Sequence, residues 1–168
     1  MGHIYLYTGE GVGKTTSAIG LAVRAIGHGY NAVIIQFMKA RKDTGEYLIR
    51  NKLKNYEIYQ FGLKHWVNLK NPSKQDRNLA RKGLEKAEEI LRKKPFLLVL
   101  DEINLAVAIG LLDVKDVLSL LEKKPPHTNI VLTGRRAPKE LIEKADFAHE
   151  LRPIKMMKKM VCEKGVQY

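Results

Sequence analysis

The sequence predicts an α/β fold, with a mostly parallel sheet and helices on both of its faces. Three observations support this prediction. Short apolar runs alternate with amphipathic helical patterns along the chain, which is typical of βα units. The first run, "HIYLYT", leads through a glycine-rich turn directly into a helix. Two later runs, "FLLVLDE" and "NIVLTGRR", end in charged residues, as expected for strands that deliver polar groups to one edge of a sheet.

Length and composition fit one domain. A chain of 168 residues buries roughly 70% of its unfolded surface on folding, so we predict a single domain over residues 1–168. No stretch approaches the ~20 apolar residues of a membrane span. Residues 1–7 are too short an apolar stretch for a signal peptide. We therefore expect a cytoplasmic protein without a membrane partner.

The chain is strongly basic. Its formal net charge is +12, from 30 Lys and Arg against 18 Asp and Glu, and such a balance attracts anionic ligands. The basic residues are spread over helix faces ("RKGLEKAEEILRKK") and the tail ("KMMKKM"), without the interleaved aromatic residues of a single-strand platform. A solvated lysine-rich surface is therefore favoured over a nucleic-acid partner.

Strands are predicted where short apolar runs are bounded by polar or glycine-rich residues. In chain order these runs are "HIYLYT", "NAVIIQF", "YEIYQF", "FLLVLDE", "NIVLTGRR" and "FAHELRP". Two aperiodic stretches between them, residues 38–48 and 62–73, are predicted as irregular loops.

Helices are predicted where apolar residues recur every three or four positions. They are "KTTSAIGLAVRAIGHG", a helix through about Lys93, "VKDVLSLLEKK" and "PKELIEKA". The helix through Lys93 is predicted to begin with Asn71 as N-cap and Pro72 at its first position. Its apolar positions, spaced by four, three and four, are Ala80, Leu84, Ala87 and Leu91.

The stretch "TGEGVGKTT" predicts a phosphate-binding loop. The usual pattern would place its first glycine at position 8, where Thr8 stands, so the loop is one residue tighter. Glycines let backbone N–H groups turn inward, and the following helix adds partial positive charge. Lys14 would add a full charge, Thr15 a hydroxyl for magnesium, and Thr16 a phosphate contact or a cap. The predicted phosphate-binding residues are Gly9, Glu10, Gly11, Val12, Gly13, Lys14, Thr15 and Thr16. The fold is therefore predicted to be P-loop NTPase-like, of the RecA-like class.

Charged pairs follow two strands of the predicted sheet. Asp101 and Glu102 end "LLVLDE", at the edge where an open α/β sheet forms its ligand crevice, and would complete a magnesium shell. The alternative is a pair stabilised by the helix that begins near Ile103. Arg135 and Arg136 end "NIVLTGRR" at the same edge, where at least one could reach the phosphates, or both could be solvated.

Two further positions carry open interpretations. Arg24 shares a helical stripe with Ser17 and His28, which indicates a solvent-facing stripe or a partner contact. Trp66 lies beside His65 in a polar loop, where a tryptophan often anchors the loop to the core.

Together these segments resemble the P-loop type of ATP:corrinoid adenosyltransferase, the family that makes coenzyme B12. The similar segments span nearly the whole chain: "TGEGVGKTTSAIGLAVRAIGHG", "VIIQFMK", "LLVLDEINLAV", "IVLTGRR", "ADFAHELRPIK" and "KGVQY". The short loop with its long helix is more specific than a general nucleotide motif.

The resemblance implies a reaction. Members bind ATP reversed relative to ordinary P-loop ATPases, so that the triphosphate is gripped and the ribose 5′ carbon faces outward. Co(I) of a corrinoid attacks that carbon and expels tripolyphosphate, so no catalytic base is needed. ATP and the corrinoid are then the substrates, and Mg²⁺ is the expected cofactor.

The resemblance also implies roles by matching position. Lys14, Thr15 and Glu102 are expected to carry the reaction. Thr15 and Glu102 resemble magnesium ligands, with Asp101 a second candidate, and Arg135 resembles a phosphate contact.

The family forms homodimers, and we expect one here. The resemblance moves Arg24 from a solvent-facing stripe toward a nucleotide-site or dimer role. Many members carry an N-terminal arm that helps to cover the site, whereas this sequence begins at the first strand. We expect the corrin to be more exposed, or the tail at residues 154–168 to cover it.

The sequence departs from the family at the corrinoid loop. Members that remove the lower axial ligand of cobalt use a Phe and a Trp two positions apart after the third strand. Trp66 matches the Trp, but Lys64 stands where the Phe would be, so Phe61 or His65 is expected to contribute. Flavin donors reduce the resulting Co(II) state, so a flavin-dependent or flavodoxin-like reductant is an expected partner.

Two other functions compete with this one. A P-loop ATPase or small-molecule kinase would transfer the γ-phosphoryl group, but it would need a conventional loop length and a residue that orients the acceptor. An ATP-dependent nucleic-acid-binding module would account for the net charge and predicts steeply salt-dependent binding. The tight loop and the tail favour the adenosyltransferase.

Overall fold

The computed structural model describes residues 1–156 and 163–166. Its strands form one sheet: β1 Ile4–Thr8, β2 Ala32–Phe37, β3 Tyr56–Phe61, β4 Leu97–Asp101, β5 Asn129–Thr133 and β6 Phe147–Glu150. The order across the sheet is β3-β2-β4-β5-β1-β6, and each adjacent pair is parallel. The predicted α/β fold is confirmed, with six parallel strands where a mostly parallel sheet was expected.

Helices cover both faces of this sheet. They are α1 Lys14–Gly27, α2 Gly45–Leu48, α3 Lys74–Arg92, α4 Ile103–Ala108, α5 Val114–Glu122 and α6 Lys139–Lys144. One apolar cluster joins α3, α4, α5 and α6 to one face, and a second joins α1 to the other. No helix among the described residues is long and apolar enough to cross a membrane.

Small residues hold α1 close to the sheet. Ala18, Ala22 and Ala25 are buried at spacings of four and three, so they form one face of the helix. This face packs in the same cluster as Ile34 of β2 and Val99 of β4. Because an alanine side chain is short, the helix that follows the glycine-rich loop lies directly on the central strands.

The start of α3 differs from the predicted start. Ser73, not Asn71, is the N-cap, and Pro72 precedes it. The Ser73 hydroxyl accepts a hydrogen bond from the Asp76 N–H, and the Asp76 carboxylate accepts one from the Ser73 N–H. This reciprocal capping box satisfies two backbone donors, which an Asn71 cap would leave without these partners.

The stretch predicted as an irregular loop at residues 38–48 contains α2, followed by a 3₁₀ turn at Ile49–Asn51. The N–H groups of Tyr47 and Leu48 both donate to the Thr44 carbonyl, each at 3.0 Å. The Tyr56 hydroxyl of β3 donates to the Glu46 carbonyl at 2.9 Å. A tertiary contact therefore supports this short helix, and no sequence period reveals it.

Left-handed backbone directly follows four of the strands. Gly9 follows β1 with φ 96°, Met38 follows β2 with φ 58°, Glu102 follows β4 with φ 66° and Gly134 follows β5 with φ 133°. Non-glycine residues adopt such angles rarely, and they persist where the surrounding structure enforces them, commonly at functional sites. The carboxyl edge of the sheet therefore has the strained backbone that is common at functional sites.

Alanine substitutions at two helical glycines would test how tightly the helices pack on the sheet. A Cβ at Gly83 of α3 would lie 2.7 Å from Cε1 of the buried Phe37 ring, whereas a Cβ at Gly20 of α1 would meet nothing within 4 Å. We expect Gly20→Ala to raise the free energy of unfolding by about 0.5–1 kcal/mol through helix propensity. Gly83→Ala should lower the free energy of unfolding, because the cost of overpacking against Phe37 exceeds the gain in helix propensity. Urea unfolding of both variants measures this, and equal gains would contradict the packing.

Candidate functional site

The glycine-rich turn after β1 is shaped by left-handed backbone. Gly9 has φ 96° and Gly13 has φ 102°, which side chains other than glycine adopt at a cost. Gly13 is the N-cap of α1 and offers no side-chain cap to the first N–H groups of the helix. These N–H groups are therefore available to an anionic ligand, as they are in phosphate-binding turns of known proteins.

The turn is closed from behind by the chain that follows β6. The Gly11 N–H donates to the Leu151 carbonyl at 2.7 Å, and the Leu151 N–H donates to the Thr8 carbonyl at 2.8 Å. A Cβ at Gly9 or Gly11 would lie 2.5 or 2.7 Å from the Leu151 oxygen. The short loop is thus held by backbone contacts that require glycine at two of its positions.

Lys14 folds back over this loop. Its ammonium donates to the carbonyls of Gly9 and Gly11, at 2.7 and 2.6 Å, and the residue is buried. Burial lowers the pKa of the Lys14 ammonium, and the nearby Glu102 carboxylate opposes that shift. A cation is therefore positioned across the loop, where an anion held by the loop backbone would meet it.

Asp101 is the central polar residue of the sheet edge and is fully buried. Its Oδ1 accepts hydrogen bonds from the hydroxyls of Thr15 and Thr133, at 2.8 and 2.7 Å. Its Oδ2 accepts from the Lys39 ammonium at 2.7 Å and from the Gln36 amide at 2.9 Å. Burial alone would raise the pKa of Asp101, but the Lys39 charge and the hydrogen bonds hold it below its ordinary value. The carboxylate is therefore anionic and fixed.

Lys39 forms the ion pair with this carboxylate. Burial alone would lower the pKa of Lys39, but the charge and hydrogen bonding of Asp101 raise it above its ordinary value. The same ammonium donates to the Thr15 hydroxyl oxygen at 3.3 Å.

Glu102 lies beside Asp101 but differs from it in environment. Its backbone N–H donates to the Thr133 hydroxyl at 2.9 Å, so one threonine orients both acidic residues. Burial and the Asp101 charge raise the pKa of the Glu102 carboxyl, while Lys39 and Lys14 oppose the shift. A cation placed next to a half-buried carboxyl of this kind stabilises its ionised form.

The arginine predicted at this edge lies at the rim. Arg135 Nη1 is 3.3 Å from Glu10 Oε2, and both side chains are about half exposed. Next to them Gly9, Glu10 and Arg136 line a cleft of about 480 Å³ together with His149. The loop therefore opens on a cleft wide enough for a small molecule.

Arg24 is not brought to the loop. It is ten residues after Lys14, about 15 Å along α1, and lies in a pocket with Tyr5, His28 and Phe96. A dimer or partner role for Arg24 stays a prediction.

The three residues predicted to contact a corrinoid lie in different environments. Phe61 ends β3 and packs against the core. His65 is exposed, and Trp66 is 96% exposed, so the interpretation of Trp66 as an anchor of its loop to the core is wrong. An almost wholly exposed tryptophan is available for a flat apolar ligand. Of the tail at 154–168, residues 157–162 and 167–168 lie outside the described residues.

Sequence reasoning missed Gln36, Lys39, Thr133 and Leu151. Gln36 is a polar residue within the apolar run "NAVIIQF", which could have marked a buried polar network. Lys39 and Thr133 lie at strand ends on the same edge as Asp101, which topology alone could have grouped. No sequence pattern pointed to the backbone of Leu151.

The contact between the loop and Leu151 can be tested with neighbouring substitutions. Gly11→Ala would force the loop away from the Leu151 carbonyl, so we expect ATP affinity to fall by about tenfold, or 1.4 kcal/mol. Val12→Ala is the matched control, because it keeps the backbone N–H by which Val12 is predicted to bind phosphate and shortens only a side chain of a residue that is 69% exposed. Calorimetric titration with ATP compares the variants, and equal affinities would show that the contact does not shape the loop.

Comparison with known structures supports the fold. The flagellar accessory protein FlaH from Methanocaldococcus jannaschii superposes with a TM-score of 0.59 at 14% identity, over 89% of this chain and 72% of FlaH. At this identity the likeness concerns the fold alone, and it agrees with the α/β architecture described above. The P-loop NTPase-like, RecA-like class stays a prediction from the sequence.

Comparison with known sequences agrees with the resemblance. The family described as ATP:corrinoid adenosyltransferase BtuR/CobO/CobP matches residues 1–168. A corrinoid adenosyltransferase from Sinorhizobium sp is 37% identical over 158 residues, covering 92% of this chain and 73% of that protein. The corrinoid adenosyltransferase CobA from Salmonella typhimurium is 33% identical over 156 residues, covering 92% and 78%. The chain therefore belongs to the ATP:corrinoid adenosyltransferase family.

Proposed function

We propose that this protein transfers the 5′-deoxyadenosyl group of ATP to Co(I) of a corrinoid and releases tripolyphosphate, in the synthesis or salvage of coenzyme B12. Family membership over the whole chain supports the reaction class. The structural observation that carries the proposal is the tightened loop, closed by Leu151 and crossed by Lys14, beside the acidic edge of the sheet.

The reaction needs charge and position more than proton transfer. The cobalt electron pair forms the bond to the 5′ carbon, and the C5′–O bond breaks with its electron pair leaving on tripolyphosphate. No proton moves, so no general base is required. Lys14 and Arg135 supply positive charge near the loop for a highly anionic leaving group. The loop backbone and α1 hold the triphosphate so that the 5′ carbon is presented in one orientation.

The acidic edge fits a magnesium ion bound together with ATP. No cluster of three or more His, Cys, Asp or Glu suited to a metal occurs among the described residues. Magnesium usually keeps several waters and takes one or two carboxylates together with phosphate oxygens, and Asp101 and Glu102 are two carboxylates at this edge. Thr15 and Glu102 would hold the ion directly, and Asp101, fixed by its hydrogen bonds, would act through the Thr15 hydroxyl or a water. When bound, the ion would neutralise part of the triphosphate charge.

The corrinoid is proposed to lie over the loop that follows β3. Trp66 is the candidate for contact with the corrin face, because its side chain is almost wholly exposed. His65 is the neighbouring candidate for work near the lower axial ligand, since Phe61 packs against the core. A flavin-dependent reductant, a homodimer and a cytoplasmic location complete the proposal.

An anaerobic assay tests the reaction. Purified protein, magnesium-ATP and chemically reduced cob(I)alamin should give a light-sensitive adenosylated corrinoid and one tripolyphosphate per cobalt. Lys14→Ala should lose turnover while its circular dichroism stays close to wild type, because the ammonium bonds to the loop carbonyls of Gly9 and Gly11, whereas α1 packs on the sheet through its buried alanines. Formation of ADP and phosphate alone would instead indicate a P-loop ATPase or kinase.

A substitution at Trp66 would distinguish a role in preparing the corrinoid for reduction from a role in adenosyl transfer. We expect Trp66→Ala to reduce turnover of cob(II)alamin with a flavin donor much more than turnover of chemically reduced cob(I)alamin. Because Trp66 is 96% exposed, Tm should not change. Leu69→Ala, at a residue 45% exposed in the same segment, is the control and should affect neither assay. Equal losses for Trp66→Ala in both assays would remove its assigned role.

A further inference from the structure

The Lys39 ammonium lies between the groups proposed above to organise magnesium. It is 2.7 Å from Asp101 Oδ2 and 3.3 Å from Thr15 Oγ1. The Thr15 hydroxyl gives its proton to Asp101 at 2.8 Å, so the Lys39 donor is directed at a lone pair of the Thr15 oxygen. That lone pair is what a metal ion bound to Thr15 would use. The protein's own cation therefore contacts the atoms that a magnesium ion would need.

The backbone that carries Lys39 is fixed. Met38 adopts φ 58°, and its N–H donates to the Phe61 carbonyl at 2.8 Å. Gly62 packs so closely that a Cβ there would collide with the carbonyl carbon of Met38 and the nitrogen of Lys39. The four-carbon stem of Lys39 is then the part free to move, and its side chain is 29% exposed. Any displacement of the ammonium leaves it tethered at the carboxyl edge.

Electrostatics explains why the Lys39 ammonium lies next to the Asp101 carboxylate. A buried carboxylate without a compensating cation is strongly unfavourable. The side chain of Asp101 has no exposed surface, and Lys39 is the cation that pairs with it, while Gln36 and the two threonines donate neutral hydrogen bonds. Two cations cannot share this small space without strong repulsion.

We infer that Lys39 is a tethered cation that occupies the magnesium position while nucleotide is absent and leaves it when magnesium-ATP binds. This inference rests on the magnesium-nucleotide site of the proposed function. The displaced ammonium moves toward the triphosphate, the strongest anion at this edge. Lys39 is thus a positioning residue. It compensates the charge of Asp101 while nucleotide is absent, and it competes with a metal ion that binds without ATP.

Metal binding without nucleotide tests the inference. Mn²⁺ suits the same oxygen ligands as Mg²⁺, and free Mn²⁺ can be measured by electron paramagnetic resonance. Nucleotide-free Lys39→Met should bind Mn²⁺ about tenfold more tightly than wild type or tighter, since one neighbouring charge alters the affinity of a carboxylate for a cation by at least about that factor. Lys42→Met, an exposed lysine on the same segment, is the matched control and should bind as wild type does.

Thermal stability gives a second readout. In chelator, Lys39→Met should melt below wild type, and Mg²⁺ without nucleotide should restore its Tm while leaving wild type nearly unchanged. Should Lys39→Met not fold, Lys39→Gln keeps a hydrogen-bond donor, removes the charge and carries the same expectations. Unchanged or weaker Mn²⁺ affinity in the neutral variant would overturn the inference.

Titration with magnesium-ATP separates the inference from the function on which it rests. If wild type binds magnesium-ATP and the neutral variant gains no Mn²⁺ affinity, only the role of Lys39 fails. If wild type binds no magnesium-ATP, the proposed nucleotide site fails and the role of Lys39 fails with it.

Discussion

The Asp101 side chain has no exposed surface, so neighbouring groups must compensate its negative charge. The arrangement of the carboxyl edge of the sheet follows from the groups that do so. Its four hydrogen-bond donors come from α1, β2, the residues after β2 and β5. Removing one partner of a buried ion pair typically costs about 3–5 kcal/mol, so these elements are held in register by a strong constraint. A single acidic side chain thereby links α1, the helix that follows the glycine-rich turn, to β2, to the residues after β2 and to β5.

This constraint also explains where the backbone is strained. Met38 and Glu102 both adopt left-handed angles immediately after their strands, on either side of the Asp101 network. Strain of this kind persists when surrounding contacts over-determine the conformation. Here the Thr133 hydroxyl fixes the Glu102 N–H, and the Phe61 carbonyl fixes the Met38 N–H. The polar side chains are consequently presented by rigid strand ends instead of by loose loops.

The fold and much of this edge were predictable from the sequence. Three of the patterns are local: the apolar runs of strand length, the Gly-Lys-Thr turn and the carboxylates of "LLVLDE". Each can be recognised from residues that are adjacent in sequence. Lys39 and Thr133 were not identified, because their importance comes from the strand order that places β2 and β5 on either side of β4. The N-cap at Ser73 was missed by two residues, since several residues near Pro72 suit a cap and only the partner Asp76 selects among them.

The strand order has a consequence for how the chain acquires its loop. β1, which delivers the glycine-rich turn, lies between β5 and β6, with contacts that span 126 and 142 residues of a 168-residue chain. Contacts so distant in sequence form late and slow folding. Leu151, which supports the turn from behind, comes directly after β6, the last strand among the residues that the structure describes. The residues of β1 are thus synthesised long before their partners in β5, in β6 and at Leu151, so the glycine-rich turn reaches its final surroundings only after those partners have been made.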